Sequence, residues 1–439
     1  MSALRALRRS PHDRDILRLA IPALGSLAAE PLYVLVDTAI VGHLGRSQLA
    51  ALGIAAVVLS GLFALFNFLA YGTTAQVARA MGAGHGDAAN RLGAQAVWLS
   101  IALGCALALL LVALAEPVVA LMGGEGQTAD FAVTYTRIAA AGLPFALLAV
   151  GAQGYLRGVS DLRTPLVILV AANVLNVVLE VLFVYGFGWG ITGSALGTVF
   201  AQAAMGIAFA VRIAAAVRNA WGFSWTFTRR LLEVGRHIFV RTASLYAAFV
   251  LAGAVVARFG DASLAAHQIA FQLWAFLALV LDAVAIAGQV IVGRMLGAGD
   301  REGAFAAGVR MIGMSVLLGA AFAAGMLALV DLLPRVFTSD AAVLAKTREL
   351  WPVFALMQPL NGAVFALDGI LIGAGDTRYL MWSMLVSGLA ACLAALGALA
   401  LDLGVVGVWL ALLLLIAMRL ATIGARFAGR RWLVTGWAG

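Results

Sequence analysis

Two stretches of the sequence place carboxylate and amide side chains inside long apolar runs. Glu30 and Asp37 are seven residues apart, which is two helical turns, so they share one face of a helix. Asn176 and Glu180 are four residues apart in AANVLNVVLEVLFVYG and are therefore neighbours on a helix, with Asn173 at its start. An amide beside a carboxylate can bond both its charged and its protonated form. These residues predict a site that loads and releases a proton or another small cation.

Three further polar residues of the first half could complete this site. Thr198 and Gln202 form another pair at helical spacing, and Gln153 ends an apolar run. If their helices face each other, they enclose Asp37 in a polar nest. The alternative is a hydrogen-bond cluster that only holds helices together, and Glu30 could instead lie near a helix end or pair with an amide.

The second half has fewer candidate groups. Asp282 and Asp368 lie inside apolar runs, where a carboxylate is costly and therefore indicates function, and His267 opens a run and could be merely interfacial. No counterpart of the Asn176–Glu180 pair occurs there. We therefore expect the site that binds a proton or another small cation in the first half.

Proline in the first apolar run predicts a helix that can change shape. Pro22 removes a helical hydrogen bond and permits a kink. Repulsion between the carboxylates of Asp37 and Glu180 favours binding of a proton, and loss of that charge could let the helix bend at Pro22. This is a hypothesis about mechanism.

The composition places the chain in a membrane. Hydrophobic residues make up 63% of 439 residues and charged residues 11%, whereas a soluble domain carries about 25% charged residues. Runs of about 20 apolar residues are long enough to cross a bilayer as helices. Twelve such spans are predicted, at 16–41, 48–78, 92–115, 132–156, 165–187, 192–217, 232–258, 264–294, 305–330, 347–372, 378–402 and 405–428.

The basic residues predict the orientation. Most of the 29 Lys and Arg residues fall on alternate loops and on both termini, so the positive-inside rule places both termini in the cytoplasm and the chain in a bacterial-type inner membrane. The net charge of +8 is explained by this topology, so no nucleic-acid partner is expected.

An internal repeat divides the chain. Shifted by 215 residues, VGHLGRSQLAA aligns with VARFGDASLAA, and QGYLRGVSDLRTP aligns with DGILIGAGDTRYL. Six spans per repeat return the chain to the same side, which predicts two parallel six-helix lobes related by an axis along the membrane normal. The expected boundaries are a cytoplasmic N-terminus at 1–15, lobes at 16–217 and 232–428, a cytoplasmic linker at 218–231 and a cytoplasmic C-terminus at 429–439.

Familiar enzyme motifs are absent from the sequence. It contains no GxxxxGK[ST] phosphate loop, no HExxH pattern and no DDxxD motif, and Cys105 and Cys392 have no metal-ligand spacing. We therefore expect no enzyme and no cofactor. The repeat by itself could also be structural history in a channel or in a membrane enzyme.

Several motifs together resemble the multidrug and toxic compound extrusion (MATE) family, and most closely its DinF-type branch. They are VDTAIVGHLG, RAMGAGHGDAA, GYLRGVSDLRTP, AAHQIAFQLW, LDAVAIAGQ and LIGAGDTR. The resemblance runs over nearly the whole chain. It implies an all-α membrane protein with two six-helix lobes in a V and cation-coupled drug export.

The resemblance also implies roles for particular residues. Asp37 stands where this branch has a protonation and coupling site, and Asn176, Glu180 and Thr198 stand where partners of that site occur. Pro22 stands where family members kink the first helix. The chain departs from the pattern in having Glu180 where Asp is usual. The seventh span has no acid other than Glu233 at its edge, which weakens a sodium site in the second lobe.

The expected function is therefore a monomeric antiporter that exports small amphipathic compounds, preferably lipophilic cations, in exchange for H⁺ or Na⁺. Sodium stays open as the coupling ion, because the oxygens of Asp37, Asn176, Glu180 and Thr198 could also hold a hard cation. The alternative is a flippase for lipids or lipid-linked precursors. That function requires basic residues in the middle of spans, and the sequence indicates none there.

Overall fold

A computed structural model describes residues 12–217 and 219–437, most of which are helical and none of which lies in a strand. Arg5, Arg8, Arg9 and Arg218, which contributed to the predicted orientation, lie outside the described residues. The helices are α1 His12–Gly42, α2 Arg46–Phe66, α3 Phe68–Gly82, α4 Gly86–Leu121, α5 Gly126–Ala140, α6 Leu143–Gly158, α7 Arg163–Val181, α8 Gly190–Ala216, α9 Trp225–Ala257, α10 Asp261–Gly297, α11 Arg301–Ala328, α12 Leu333–Phe337, α13 Ala341–Gly373, α14 Thr377–Ala400 and α15 Gly404–Ala428. A π-helical segment, Leu182–Gly186, continues α7.

Length and hydropathy identify the membrane spans. Within the described residues, 11 helical segments are long and apolar enough to cross a membrane, and α2 and α3 together form one of them. Helices α5 and α6 form a further span if their 51° bend is counted as one broken helix, which gives 12. The predicted all-α polytopic fold is confirmed.

The chain forms two compact units whose limits differ from the predicted lobes. Among the described residues, the first-half unit comprises Gly25–Gly235, and the second-half unit comprises residues 236–437 together with residues 12–24. The chain therefore passes from one unit to the other within α1, near Pro22, and within α9. The sequence repeat does not show that the start of α1 belongs to the second-half unit. The repeat reflects the order of residues along the chain, whereas the units are defined by packing.

The repeat is visible in the helices of each unit. The span of α2 and α3, Arg46–Gly82, corresponds to α10 at a shift of 215 residues, and Gly126–Gly158 corresponds to α13. Equivalent helices also pack in the same way. A Cβ on Gly154 would collide with the backbone of Ala70, and a Cβ on its repeat partner Gly369 would collide with that of Ala285. Only glycine permits these close backbone approaches.

The two repeats differ in continuity. The chain breaks between α2 and α3 at Asn67, whereas the equivalent Asp282 lies inside the continuous α10. It also bends between α5 and α6, whereas α13 continues through Pro352 and Pro359. The difference runs the other way at α4, which is continuous over Gly86–Leu121, whereas the equivalent stretch of the second half is divided into α11 and α12. Each repeat therefore has breaks where the other is continuous.

Candidate functional site

A buried polar nest lies within the first-half unit, where α1, α7 and α8 meet. Asp37 comes from α1, Asn176 and Glu180 come from α7, and Ser194 and Thr198 come from α8. All five are buried, and Glu180 and Ser194 are fully inaccessible. The structure therefore brings together the four residues predicted to bind the coupling ion.

The hydroxyl of Ser194 links the two carboxyl groups. Its Oγ donates to Asp37 Oδ1 at 2.8 Å and lies 3.4 Å from Glu180 Oε1. A hydroxyl has one proton, so it donates fully to only one of these acceptors at a time. Asp37 and Glu180 consequently share one pocket, and Ser194 can respond to which of them carries the charge.

A second layer of polar groups surrounds Glu180. Its Oε1 lies 3.4 Å from Thr198 Oγ1 and 3.5 Å from Asn176 Nδ2. The hydroxyls of Thr198 and Tyr33 are 3.0 Å apart and share a hydrogen bond. The buried Tyr135 of α5 lies near Asp37.

Two acceptor atoms of the nest lack a donor. Glu180 Oε2 and Asn176 Oδ1 are buried and have no hydrogen-bond partner among the described residues. A buried acceptor without a donor costs about 1–3 kcal/mol, and more when it is charged. A proton on a carboxyl group, or a cation held by these oxygens, would satisfy them.

Local packing fixes the position of Glu180. Gly193 and Gly197 lie on the face of α8 that meets α7, and a Cβ on Gly197 would come 3.0 Å from Glu180 Cγ and 3.2 Å from its backbone nitrogen. The π-helical segment starts two residues after Glu180, and such segments often occur at functional sites. The close α7–α8 contact therefore holds the carboxyl group toward Ser194 and Thr198.

Two of the other residues predicted to surround the nest support helices instead. Asn173 Nδ2 donates to the carbonyl of Ala29 at 2.8 Å and so ties α7 to α1. Gln153 accepts a 3.0 Å hydrogen bond from Arg157, one turn along α6. Neither has a hydrogen bond to an acid of the nest.

Two more predicted residues lie apart from the nest. Gln202 packs against Gly142, and its Oε1 has no hydrogen-bond partner in the part of the chain that the structure describes. Glu30 is exposed. The hydroxyl of Thr198 is instead within hydrogen-bonding distance of Tyr33 and Glu180.

The second-half unit contains a different buried charge cluster. Asp368 on α13 accepts hydrogen bonds at its Oδ2 from Arg241 on α9 and from Arg419 on α15. The exposed fractions of the side chains are 7%, 13% and 5%. The expectation that mid-span arginines are absent is wrong. The charge pattern placed Arg419 at the cytoplasmic end, whereas it lies nine residues before the end of α15 and is buried by Asp368.

The remaining predicted residues also belong to the second-half unit. His267 is buried, stacks on Phe271 with ring centroids 5.9 Å apart, and lies edge-on to Trp409 at 5.8 Å. Asp282 is half-buried in α10, and Pro22 is half-buried in the continuous α1. His267 is therefore part of an aromatic core and not an interfacial residue.

Sequence reasoning missed three members of the nest. Tyr33 precedes Asp37 by four residues, and Ser194 precedes Thr198 by four, so helical spacing from known candidates would have found both. Tyr135 has no such signal, because it reaches Asp37 from a helix that is distant in sequence.

The long apolar helices of the described residues define a polytopic membrane protein. The MatE family profile matches residues 22–182 and 238–396, once in each half, and the chain belongs to this family. Members of the family are transporters, so the protein is a membrane transporter and not an enzyme.

Relatives and solved structures agree with this assignment. The chain is 31% identical to protein DETOXIFICATION 44, chloroplastic, from Arabidopsis thaliana, covering 95% of this chain and 82% of that protein. It is also 31% identical to DNA damage-inducible protein F from Escherichia coli, covering 96% and 93%. An outward-facing multidrug resistance MATE family transporter has a similar fold, with a TM-score of 0.83 at 22% identity over 98% of this chain and 97% of that one.

Proposed function

We propose that this transporter exports small amphipathic organic compounds in exchange for H⁺ or Na⁺ bound at the polar nest. One observation carries the proposal. The buried carboxyl groups of Asp37 and Glu180 share the hydroxyl of Ser194, and Glu180 Oε2 has no donor among the described residues. A nest with one acid and one base would be neutral as an ion pair. This nest holds two acids, so it needs a proton or another cation to neutralise their charge.

The nest can couple two ligands through charge. Like charges that share a buried site repel each other, and a bound proton or cation removes the repulsion. When the cation leaves, the negative charge attracts a cationic substrate. The coupling ion and substrate then lower each other's affinity, which is ordinary thermodynamic linkage. Lipophilic cations are the substrates that this site would favour.

The oxygens of the nest suit either coupling ion. Carboxyl, hydroxyl and amide oxygens are the ligands that hard cations prefer. The same carboxyl groups can each bind a proton, with Ser194 as a donor to either carboxylate and Asn176 as a donor to Glu180. H⁺ and Na⁺ therefore both stay as predicted coupling ions, and the bacterial-type inner membrane, cytoplasmic termini and monomeric state also stay predictions.

Proteoliposomes with a single ion gradient test the proposal. Wild type should expel a fluorescent lipophilic cation, such as ethidium, under a proton gradient or a sodium gradient, but not without a gradient. Asp37→Asn should lose gradient-driven efflux. The nest then carries one negative charge fewer and no longer needs the coupling cation to neutralise a pair of acids. The matched control is Asp130→Asn, which changes an exposed acid of the same unit and should behave as wild type. Undiminished gradient-driven efflux by Asp37→Asn would remove the nest from the coupling mechanism.

A second candidate function has one observation in its favour. The buried arginine pair at Asp368 supplies the basic residues that a flippase for lipid-linked phosphates needs. Reconstitution with a fluorescent phospholipid whose label is quenched only in the outer leaflet would detect flipping. Flipping that stops in Arg241→Gln would favour this function over export of soluble compounds.

A further inference from the structure

We propose that Glu30 of α1 binds the positively charged group of the exported compound, at a place separate from the coupling nest. This rests on the proposed export function and assigns the charge of the substrate to a residue outside the nest. Asp37 and Glu180 would hold the coupling ion, and Glu30 would hold an ammonium group on an apolar body. The two cations would influence each other through charge and would not compete for the same oxygens.

The depth of Glu30 in the membrane is the first argument. Helix α1 has 31 residues and is apolar enough to cross a bilayer. At 1.5 Å per residue it is about 46 Å long, so it extends about 8 Å beyond each side of an apolar core of about 30 Å. Glu30 lies twelve residues before the end of α1 at Gly42, which is about 18 Å. Its carboxyl group is therefore about 10 Å inside the core.

The lack of a partner is the second argument. Glu30 is exposed and has no hydrogen bond or ion pair with any other residue in 12–217 and 219–437. A charged side chain at this depth is costly and almost always faces the interior of a bundle or a water-filled cavity. Asp368, at a similarly costly place, is neutralised by arginine. For Glu30 a cationic ligand would supply that charge.

The internal repeat is the third argument. A shift of 215 residues places Leu245 of α9 at the position of Glu30. Leu245 is half-buried, so the equivalent helix of the second half forms with an apolar side chain there. The helical fold therefore does not need an acid at this position. A costly acid that the fold does not need indicates a role in binding.

The neighbours of Glu30 favour a lipophilic cation. Leu27 and Val34 lie three residues before and four residues after it, so both are beside it on the same face of α1. Both are half-buried and leave part of their apolar surface accessible. A carboxylate between two accessible apolar side chains matches a compound with a positive charge on an apolar body.

The distance to the nest allows the two sites to communicate. Asp37 lies seven residues after Glu30 on the same face of α1, which is a rise of about 10 Å. Asp37 is buried, whereas Glu30 is exposed. A cation at Glu30 would therefore repel a cation at the nest without contacting its oxygens. By linkage, each would weaken the binding of the other by the same factor.

A pair of fluorescent probes separates charge from shape. Dansylcadaverine carries a primary ammonium group, and N-pentyldansylamide has the same skeleton without that group. Binding to purified wild type in phosphatidylcholine nanodiscs is measured after subtraction of binding to empty nanodiscs. Wild type should bind the cation at least about tenfold more tightly than the neutral analogue, a typical effect of one close charge pair. Equal affinities for the two probes would overturn the proposal without any variant.

Variants assign the preference to Glu30. Glu30→Gln keeps the shape of the side chain without its charge and should remove most of the preference, whereas Glu30→Asp keeps the charge and should retain part of it. Glu125→Gln is the matched control. It makes the same change at an exposed acid of the same unit, in the loop between α4 and α5, and the preference should stay. A preference that survives in Glu30→Gln would contradict the proposal.

The nest variant separates this proposal from the proposed coupling. Asp37→Asn should lower the preference for the cation less than Glu30→Gln does, because Asp37 lies about 10 Å farther along the helix and attraction falls with distance. A larger loss in Asp37→Asn than in Glu30→Gln would place the ammonium group in the nest and overturn the assignment to Glu30. Gradient-driven efflux by Asp37→Asn would contradict only the proposed coupling, since the probes are compared without a gradient.

Discussion

The two halves of the chain share a helical plan but differ in how they neutralise buried charge. In the first-half unit, Asp37 and Glu180 are two acids held by hydroxyl and amide groups. In the second-half unit, Asp368 is one acid held by two arginines. Arginine stays charged and leaves no place for an exchangeable cation on the same oxygen, so we propose cation exchange only for the first-half site.

The repeat shows how the halves diverged. A shift of 215 residues places Ala252 at the position of Asp37 and Ala395 at that of Glu180, so the second half has lost or never had the acid pair. Conversely, the same shift makes Gln153 the first-half equivalent of Asp368, so the first half lacks this acid. One fold thus carries a pair of buried acids in one half and an acid bound by arginines in the other.

The largest expected effect comes from removing the second acid of the nest. Glu180→Gln should abolish ion-driven efflux as completely as Asp37→Asn. Either change leaves a single carboxylate, so the repulsion between two carboxylates that a bound cation relieves is lost. The double variant should be no worse than either single variant, since residues that act as a unit are not additive. Initial rates in proteoliposomes measure this, and independent, multiplicative losses would show that the two acids act separately.

The second-largest effect is on stability, and it distinguishes the buried acid of one unit from that of the other. Asp368→Asn leaves two buried arginines without their carboxylate and should destabilise the protein by about 3–5 kcal/mol. Asp37→Asn removes one of two like charges and should change stability by less than about 1 kcal/mol. Thermal unfolding in detergent, followed by circular dichroism, compares them. Equal destabilisation would show that the first-half acid is also structural.

The third effect comes from moving Glu180 without changing its charge. Gly197→Ala places a methyl group against Glu180 and should cost about 1–3 kcal/mol of packing energy, with slower ion-driven efflux. Gly53→Ala on α2 is the control, because a Cβ there meets no atom within 4 Å. Normal efflux by Gly197→Ala would mean that the nest tolerates a displaced carboxyl group.

The smallest effect is that of the shared hydroxyl. Ser194→Ala removes a hydrogen bond worth about 1 kcal/mol, and efflux should slow about fivefold. Ser100→Ala removes a buried hydroxyl of the same unit that has no partner among the described residues, and its efflux should match wild type. If both variants behave alike, Ser194 does not link the acids.

Patterns along the chain predicted the helices and most of the nest. The spans follow from runs of apolar residues, and Asp37, Asn176, Glu180 and Thr198 stand out because polar groups inside such runs are costly. Neighbours at helical spacing, such as Asn176 and Glu180, are likewise visible in one dimension.

Contacts between distant segments could not be predicted in this way. Arg419 was assigned to the cytoplasmic end of its span, because a basic residue near a loop usually marks topology, and Arg241 was placed just inside the seventh span. Their common partner Asp368 becomes visible only when α9, α13 and α15 pack together. The division of α1 between the two units could not be predicted for the same reason. It depends on how helices pack, and the sequence repeat does not reveal this packing.

The most direct test of the difference between the two halves is ion movement driven by the substrate. Proteoliposomes loaded with a lipophilic cation, with no ion gradient imposed, should take up H⁺ or Na⁺ as the compound leaves. In Asp37→Asn, any remaining movement of the compound should carry no ion with it. An unchanged ratio of ions to exported compound in Asp37→Asn would contradict coupling at the nest.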